Sequence, residues 1–222
     1  MARTRTGECS GCWRASMLRT DILDVATELC SRHNVRGFIL PANTGTTARA
    51  FRDRFGGEYQ CFAVGNPTSS HAKGYVKHSG MDAATQAALA ELGFHVVLQE
   101  VSAFQVGDSP VTQVHAARMQ ASYEASLGGV PVEVHGSTLP SLIERVIRGL
   151  LDEQVRVCVE IALMAGESDA IDLDATYISV ATPSRYMNAR DCAVVLRPST
   201  VATFFQAPPF IFEIARSSPP GS

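Results

Sequence analysis

Residues 37–48 read Gly37-Phe38-Ile39-Leu40-Pro41-Ala42-Asn43-Thr44-Gly45-Thr46-Thr47-Ala48, and the fold turns on how this stretch is taken. Its first half is a short apolar run without alternation, the pattern of a strand covered on both faces in a parallel sheet. Its second half breaks into a glycine-bearing, hydroxyl-rich turn. Ala48, Phe51 and Phe55 then recur at helical spacing until Gly56-Gly57, a helix stop. A buried strand that ends in a turn and feeds a helix is the opening half of a β-α-β unit.

Working outward, Leu18, Ile22, Val25, Ala26, Leu29 and Cys30 predict a helix over residues 20–33. Downstream, Tyr59 to Val64 reads as a strand, Asp82 to Leu92 as a helix and His95 to Leu98 as a third strand. Strands alternating with helices imply a parallel sheet with right-handed crossovers. Residues 112–127 and 139–152 predict two more helices. Residues 155–165 fit two periods: Val155, Val157, Val159 and Ile161 alternate like a strand, whereas Val155, Cys158, Ala162 and Ala165 fit a helix, which the segment's length favours. Tyr177 to Ala181 and Cys192 to Leu196 read as buried strands, and Phe210 to Ile214 as an edge strand because Pro208 and Pro209 precede it. An edge with two phenylalanines suggests a homo-oligomer. The expected organisation is a flexible segment over residues 1–17, one α/β domain over 18–216 and a disordered tail over 217–222.

Composition narrows the function classes. With 222 residues and 45% hydrophobic content the chain can bury a sizeable core. A net charge of −3 gives no basic footprint, so nucleic acid is not an expected partner. No apolar run reaches the roughly 18–20 residues that span a bilayer, and Met1 to Trp13 lacks an apolar signal core, so a cytoplasmic protein without a membrane partner is expected. Of six cysteines, Cys30, Cys61, Cys158 and Cys192 sit in apolar periodic segments and read as core thiols. Cys9 and Cys12 form a Cys-x-x-Cys without the second pair that a structural zinc needs, so no metal site is expected.

In an open parallel sheet, ligands bind beyond the carboxyl ends of the strands, which directs attention to the loops after residues 42, 64, 98 and 181. Asn43, Thr44, Gly45, Thr46 and Thr47 combine a glycine for close approach, three hydroxyls and the free amides of a helix start, the ingredients of a phosphate cradle. The loop from Gly65 to Gly80 is long for a connection and holds the chain's two lysines, Lys73 and Lys77, with His71 and His78. His71 and His78 are candidate acid or base groups, and Lys73 a candidate charge stabiliser. Asn66 and Thr68 open that loop, Ser102 follows the third strand, and Thr182, Ser184 and Arg185 follow the fourth. Glu160, alone among apolar neighbours, requires a cation, a backbone cap or a ligand hydroxyl. No Gly-x-Gly-x-x-Gly, Walker loop, Gly-x-Ser-x-Gly or His-Glu-x-x-His occurs, which disfavours nucleophilic and metal-assisted hydrolysis.

Phe38 to Ala50 (FILPANTGTTARA), Val155 to Ala165 (VRVCVEIALMA) and Asp191 to Phe205 (DCAVVLRPSTVATFF) resemble the stand-alone proteins related to the pyruvate kinase C-terminal α/β domain. The likeness covers roughly residues 20–215. It implies a three-layer α/β/α fold whose mostly parallel mixed sheet carries an antiparallel edge strand, and it makes residues 155–165 a helix. It also implies a flavin mononucleotide (FMN) ligand, with the phosphate on Thr44, Gly45, Thr46 and Thr47. Asn43, Asn66, Thr68, Ser102, Thr182, Ser184 and Arg185 would complete the pocket. Gly65-Asn66-Pro67 stands where those relatives carry a Thr-His-His run. Three functions follow: FMN binding with or without flavin chemistry, a flavin-independent enzyme acting on a phosphorylated sugar or nucleotide, or a non-catalytic effector-binding module.

Overall fold

The structure, a computed structural model, describes residues 22–67, 81–100, 102–104, 110–131, 139–182 and 190–218. Helix α1 (residues 22–32) leads into strand β1 (Gly37–Pro41), helix α2 (Thr46–Phe55) and strand β2 (Gln60–Val64). Helix α3 (Ala83–Glu91) and strand β3 (His95–Val97) follow, then helices α4 (Pro110–Ser126), α5 (Leu139–Leu150) and α6 (Glu153–Gly166). Strands β4 (Tyr177–Ala181), β5 (Cys192–Arg197) and β6 (Phe210–Arg216) close the chain.

The six strands form one sheet in the order β3-β2-β1-β4-β5-β6. β1 pairs in parallel with β2 and β4, and β2 with β3. The antiparallel pairings lie at one side, where β5 runs against both β4 and the edge strand β6. Because strand side chains alternate between faces, each central strand feeds two cores. Ile39, Phe62, Val64, Tyr177, Cys192, Val194 and Leu196 face the layer that contains α6. Phe38, Leu40, Cys61, Ala63, Ile178, Val180, Ala193 and Val195 face Ile22, Ala26 and Leu29 of α1, Phe51 of α2 and Leu89 of α3. The fold is therefore three-layered, α/β/α, and its mixed sheet is mostly parallel.

α6 explains the double periodicity of residues 155–165. It is buried from Gln154 and Val155 through Cys158, Val159 and Ile161–Gly166, so apolar residues recur around most of its circumference and the helical stripe is lost. Two glycines set close approaches. A Cβ on Gly37 would lie 1.8 Å from the Gln60 carbonyl oxygen of the neighbouring strand, and one on Gly166 would lie 1.9 Å from the Ser199 oxygen.

The sequence-assigned core thiols are packed as small hydrophobes. Cys61, Cys158 and Cys192 are buried and Cys30 is half-buried. Burial pushes the Cys61 thiol up to about 11 and the Cys158 thiol well above its ordinary value, which leaves both unreactive at neutral pH. At the C-terminal boundary, Ser217, assigned on sequence to the tail, belongs to the fold. It is buried, its N–H donates to the Asp191 carbonyl at 3.0 Å, and its hydroxyl accepts from the Asp191 N–H at 3.1 Å. Residues 1–21, with Cys9 and Cys12, and residues 219–222 lie outside the described residues. Among the described residues no helix is long and apolar enough to cross a membrane.

The middle of β6 is tied to the C-terminal end of α1 by charge. Glu213 accepts from His33 Nε2 and from Arg32 Nη2, each at 2.8 Å. The hydrogen bond from His33, with the nearby Arg32, holds the Glu213 carboxyl below its usual range.

Two measurements check this account. Gly37→Ala places a methyl group into the β1–β2 ladder, and a loss of about 3 kcal/mol is expected from such overpacking, read as a lower urea midpoint with unchanged slope. For Glu213 the folded pKa is depressed, so its stabilisation is present above the ordinary glutamate range and is lost as pH falls through the lower folded value. Urea unfolding followed as a function of pH should lose stability across that acidic window, and Glu213→Gln should remove that part of the loss.

Candidate functional site

The four parallel strands β1 to β4 deliver their carboxyl ends to one rim of the sheet. The chain begins its sheet at β1, winds outward through β2 and β3, then returns to place β4 on the opposite side of β1. The crevice between the loops that leave β1 and β4 is thus the point where strand order reverses, the usual ligand position in open α/β sheets.

The turn after β1 occupies that position. Ala42 is buried, and its N–H donates to the Val64 carbonyl at 2.9 Å, which extends the β1–β2 ladder by one residue. The Gly45 N–H then donates to the Ala42 carbonyl at 3.0 Å and closes the turn. Gly45 is the N-cap of α2 with φ 67°, a left-handed conformation that favours glycine, and it is packed against α3. A Cβ there would lie 3.1 Å from Thr85 Cγ2.

This helix start lacks a side-chain cap among the described residues. α3, by contrast, is capped by Asp82, whose Oδ1 accepts from the Thr85 N–H at 2.6 Å, and α6 by Asp152, whose Oδ1 accepts from the Val155 N–H at 2.8 Å. The Thr85 amide and hydroxyl hold the Asp82 carboxyl below its usual range, with a smaller contribution from Arg49. The first turn of α2 contains no acidic residue. Its amides therefore carry the partial positive charge of a helix N-terminus with no carboxylate in that turn to neutralise it. Thr44, which is exposed, and Thr46, which is half-buried, place their Oγ1 atoms 2.9 Å apart beside these amides. Thr47 is half-buried in the same turn.

Asn43 acts differently from its threonine neighbours. Its Oδ1 accepts from the Asn66 N–H at 2.7 Å, so it links the turn after β1 to the one after β2. Gly65, just before, donates its N–H to the Val97 carbonyl at 3.0 Å. A Cβ on Gly65 would lie 2.8 Å from Leu98 Cδ2, so glycine lets the loops after β2 and β3 approach each other closely. Asn43, Asn66 and the Thr44–Thr47 turn are thereby held in one unit at the carboxyl ends of β1 and β2.

Ser102, after β3, is bonded to α6. It is buried, its hydroxyl donates to Glu160 Oε1, and it accepts from the Phe104 N–H at 3.2 Å. Gln99 Nε2 donates to the Met164 carbonyl at 2.8 Å, so the chain after β3 packs back onto α6. Glu160 meets the expected cation: Arg156 Nη1 donates to Glu160 Oε2 at 2.7 Å, and Arg156 also pairs with Glu153 at 2.9 Å. The Arg156 side chain is 12% exposed and that of Glu160 16%, which makes the pair a mostly desolvated one. Sequence reasoning flagged Glu160 but missed Arg156, although its position four residues earlier on the helix was a usable signal.

Thr182 lies directly after β4, half-buried at the same rim. Thr68, His71, Lys73, His78, Ser184 and Arg185 lie outside the described residues. Among the described residues no three His, Cys, Asp or Glu side chains group closely enough to hold a metal ion. Compared with known proteins, the chain matches no protein-family model and no curated protein at a significant level.

The Asn43 link is directly testable. Asn43→Ala removes one acceptor from a half-buried backbone N–H, and a loss of about 1 kcal/mol is expected in chemical unfolding. The exchange rate of the Asn66 amide hydrogen should rise with it.

Proposed function

We propose that this chain binds a phosphorylated small molecule at the Asn43–Thr47 turn, that the ligand is flavin mononucleotide, and that the chain belongs with the stand-alone relatives of the pyruvate kinase C-terminal domain. The observation that carries the reading is the start of α2, left-handed at Gly45, without a side-chain cap and without an acid in its first turn, at the strand-order reversal of the sheet. A phosphate monoester suits that position. Its oxygens accept from the first-turn amides, and its charge meets the positive end of the helix dipole. The hydroxyls of Thr44 and Thr46 share one hydrogen bond at 2.9 Å, which leaves one O–H of the pair to donate to an anion.

Supporting the nucleotide-sized ligand is the sequence likeness of residues 38–50, 155–165 and 191–205 to that group. The fold that the likeness implies is the fold observed. The Asn43 bond to the Asn66 amide makes the turn a fixed element, so the phosphate position is formed before the ligand arrives. Within this reading the phosphate anchors the ligand at the turn.

Titration of the purified protein with FMN, followed by quenching of flavin fluorescence, tests the reading. Saturable quenching is expected, with riboflavin, which lacks the phosphate, binding far more weakly. Thr46→Ala, which removes a hydroxyl donor worth about 1.5 kcal/mol to a charged oxygen, should raise the dissociation constant about tenfold, and Thr47→Ala should also weaken binding. Absence of quenching at high micromolar FMN, or equal affinity for riboflavin, would overturn it.

A further inference from the structure

The start of α2 carries the opposite charge from the one a helix favours. Acids are stabilising near a helix N-terminus and bases near its C-terminus. Arg52 and Arg54 obey that rule in the last turn, but the first turn has no acid and the fourth residue of the helix is Arg49. A guanidinium there adds to the partial positive charge of the amides, which is unfavourable until an anion offsets both.

Arg49 is one helical turn from Gly45. Its N–H donates to the Gly45 carbonyl at 3.0 Å, the first intrahelical bond of α2, so the N–H groups of Thr46, Thr47 and Ala48 have no acceptor within the helix. Helical side chains lean toward the N-terminus, over residues three and four positions back. For Arg49 these are Thr46 and Gly45. The residue is exposed, and among the described residues its guanidinium makes no hydrogen bond and no ion pair. Its neighbours are committed: Arg52 donates to the Gly56 and Gly93 carbonyls, and Arg54 to Asp24. Asp82, at the start of α3, attracts Arg49 through space only. The Asp82 Oδ1 is held by the Thr85 N–H, and Thr85 Cγ2 is the atom nearest a Cβ on Gly45, so Arg49 and Asp82 flank one contact between α2 and α3.

We propose that Arg49 is the cation of the phosphate site, and that through it the site selects a phosphate monoester in its doubly charged form. The proposal rests on the phosphate reading of the Asn43–Thr47 turn. The first-turn amides and the O–H left by the Thr44–Thr46 pair are neutral donors. A guanidinium adds a full charge and a planar fork that matches two phosphate oxygens. A monoester dianion has three terminal oxygens, enough to meet the amides and the guanidinium together. Because Asp82 attracts Arg49 without an ion pair, no bond has to break when the guanidinium turns to a phosphate.

Titration of the full chain with FMN at a series of pH values, read by flavin fluorescence, tests the assignment. At slightly alkaline pH, Arg49→Gln should raise the FMN dissociation constant at least about tenfold and leave the weak binding of riboflavin unchanged. Arg49→Lys, which keeps the charge, should lose less. A phosphate monoester takes its second charge near about pH 6, so FMN affinity should rise as pH increases through that range, and Arg49→Gln should flatten the rise. The charged groups beside Arg49 among the described residues are Arg52 and Asp53 on α2 and Asp82 on α3. Thr85 holds the Asp82 carboxyl below its usual range, so Asp82 keeps its charge throughout. His71 and His78, outside the described residues, would give the opposite sign, because a histidine gains positive charge as pH falls. No FMN binding by the unaltered chain overturns the phosphate reading and this assignment with it. FMN binding that Arg49→Gln leaves unchanged, or that weakens as pH rises, overturns this assignment alone.

Discussion

Strand β1 has neither a solvent face nor a free edge. Phe38 and Leu40 serve one core and Ile39 the other, while β2 and β4 take its two edges. Burying a side chain such as Phe or Leu stabilises by about 1.5–3 kcal/mol, and β1 spends every apolar position that way. This central placement also forces Gly37, since the Gln60 carbonyl occupies the space a side chain would fill. Chain direction then fixes the rest. The strand must leave the sheet at its carboxyl end, at the strand-order reversal, so the turn that follows it stands at the one rim where loops from both halves of the sheet converge.

That dependence explains how much of the fold is legible in the sequence. A short apolar run that stops at a glycine-bearing turn and feeds a helix fits a doubly covered strand, so residues 37–42 point to a parallel sheet with helices on both sides. The helices that retain a polar face, such as α2 with Ala48 and Phe51 buried beneath Arg52 and Arg54, are legible by period. α6 is not, because burial on most of its surface erases the contrast between faces. Its charges are informative instead. Arg156, Glu153 and Glu160 are neutralised within one helix at spacings of three and four, which suits a helix and not a strand, where residues three apart face opposite sides and residues four apart are separated by roughly 13 Å.

The site is legible in part, and the division has a physical basis. Turn chemistry is local, so a glycine among threonines between a strand and a helix identifies the turn after β1 and the start of α2. Long-range polar contacts are not local. Nothing in Asn43 itself indicates that its side chain accepts from the Asn66 amide 23 positions away, or in Ser102 that its hydroxyl donates to Glu160 on α6. Ser217 shows the same limit: a serine next to a Ser-Pro-Pro tail has no sequence signal for burial, and only the Asp191 backbone on β5 gives it a partner.

The uncapped start of α2 follows from a packing conflict. A helix start ordinarily recovers about 1 kcal/mol from a Ser, Thr, Asp or Asn cap, and the chain uses aspartate for that purpose at α3 and α6. At α2 this solution is closed. The cap position must adopt a left-handed turn to leave β1, and it must pass so near Thr85 that a side chain there would press on Cγ2 at 3.1 Å. Only glycine meets both conditions, and glycine brings no acceptor. The first-turn amides are thus left for a partner from outside the helix, and the side chains around them, Thr44 and Thr46, supply donors and no charge. An anion with several oxygens would suit amides and hydroxyls together, so under the proposed function the glycine that lets α2 pack closely against α3 is also the residue that leaves those amides for a phosphate.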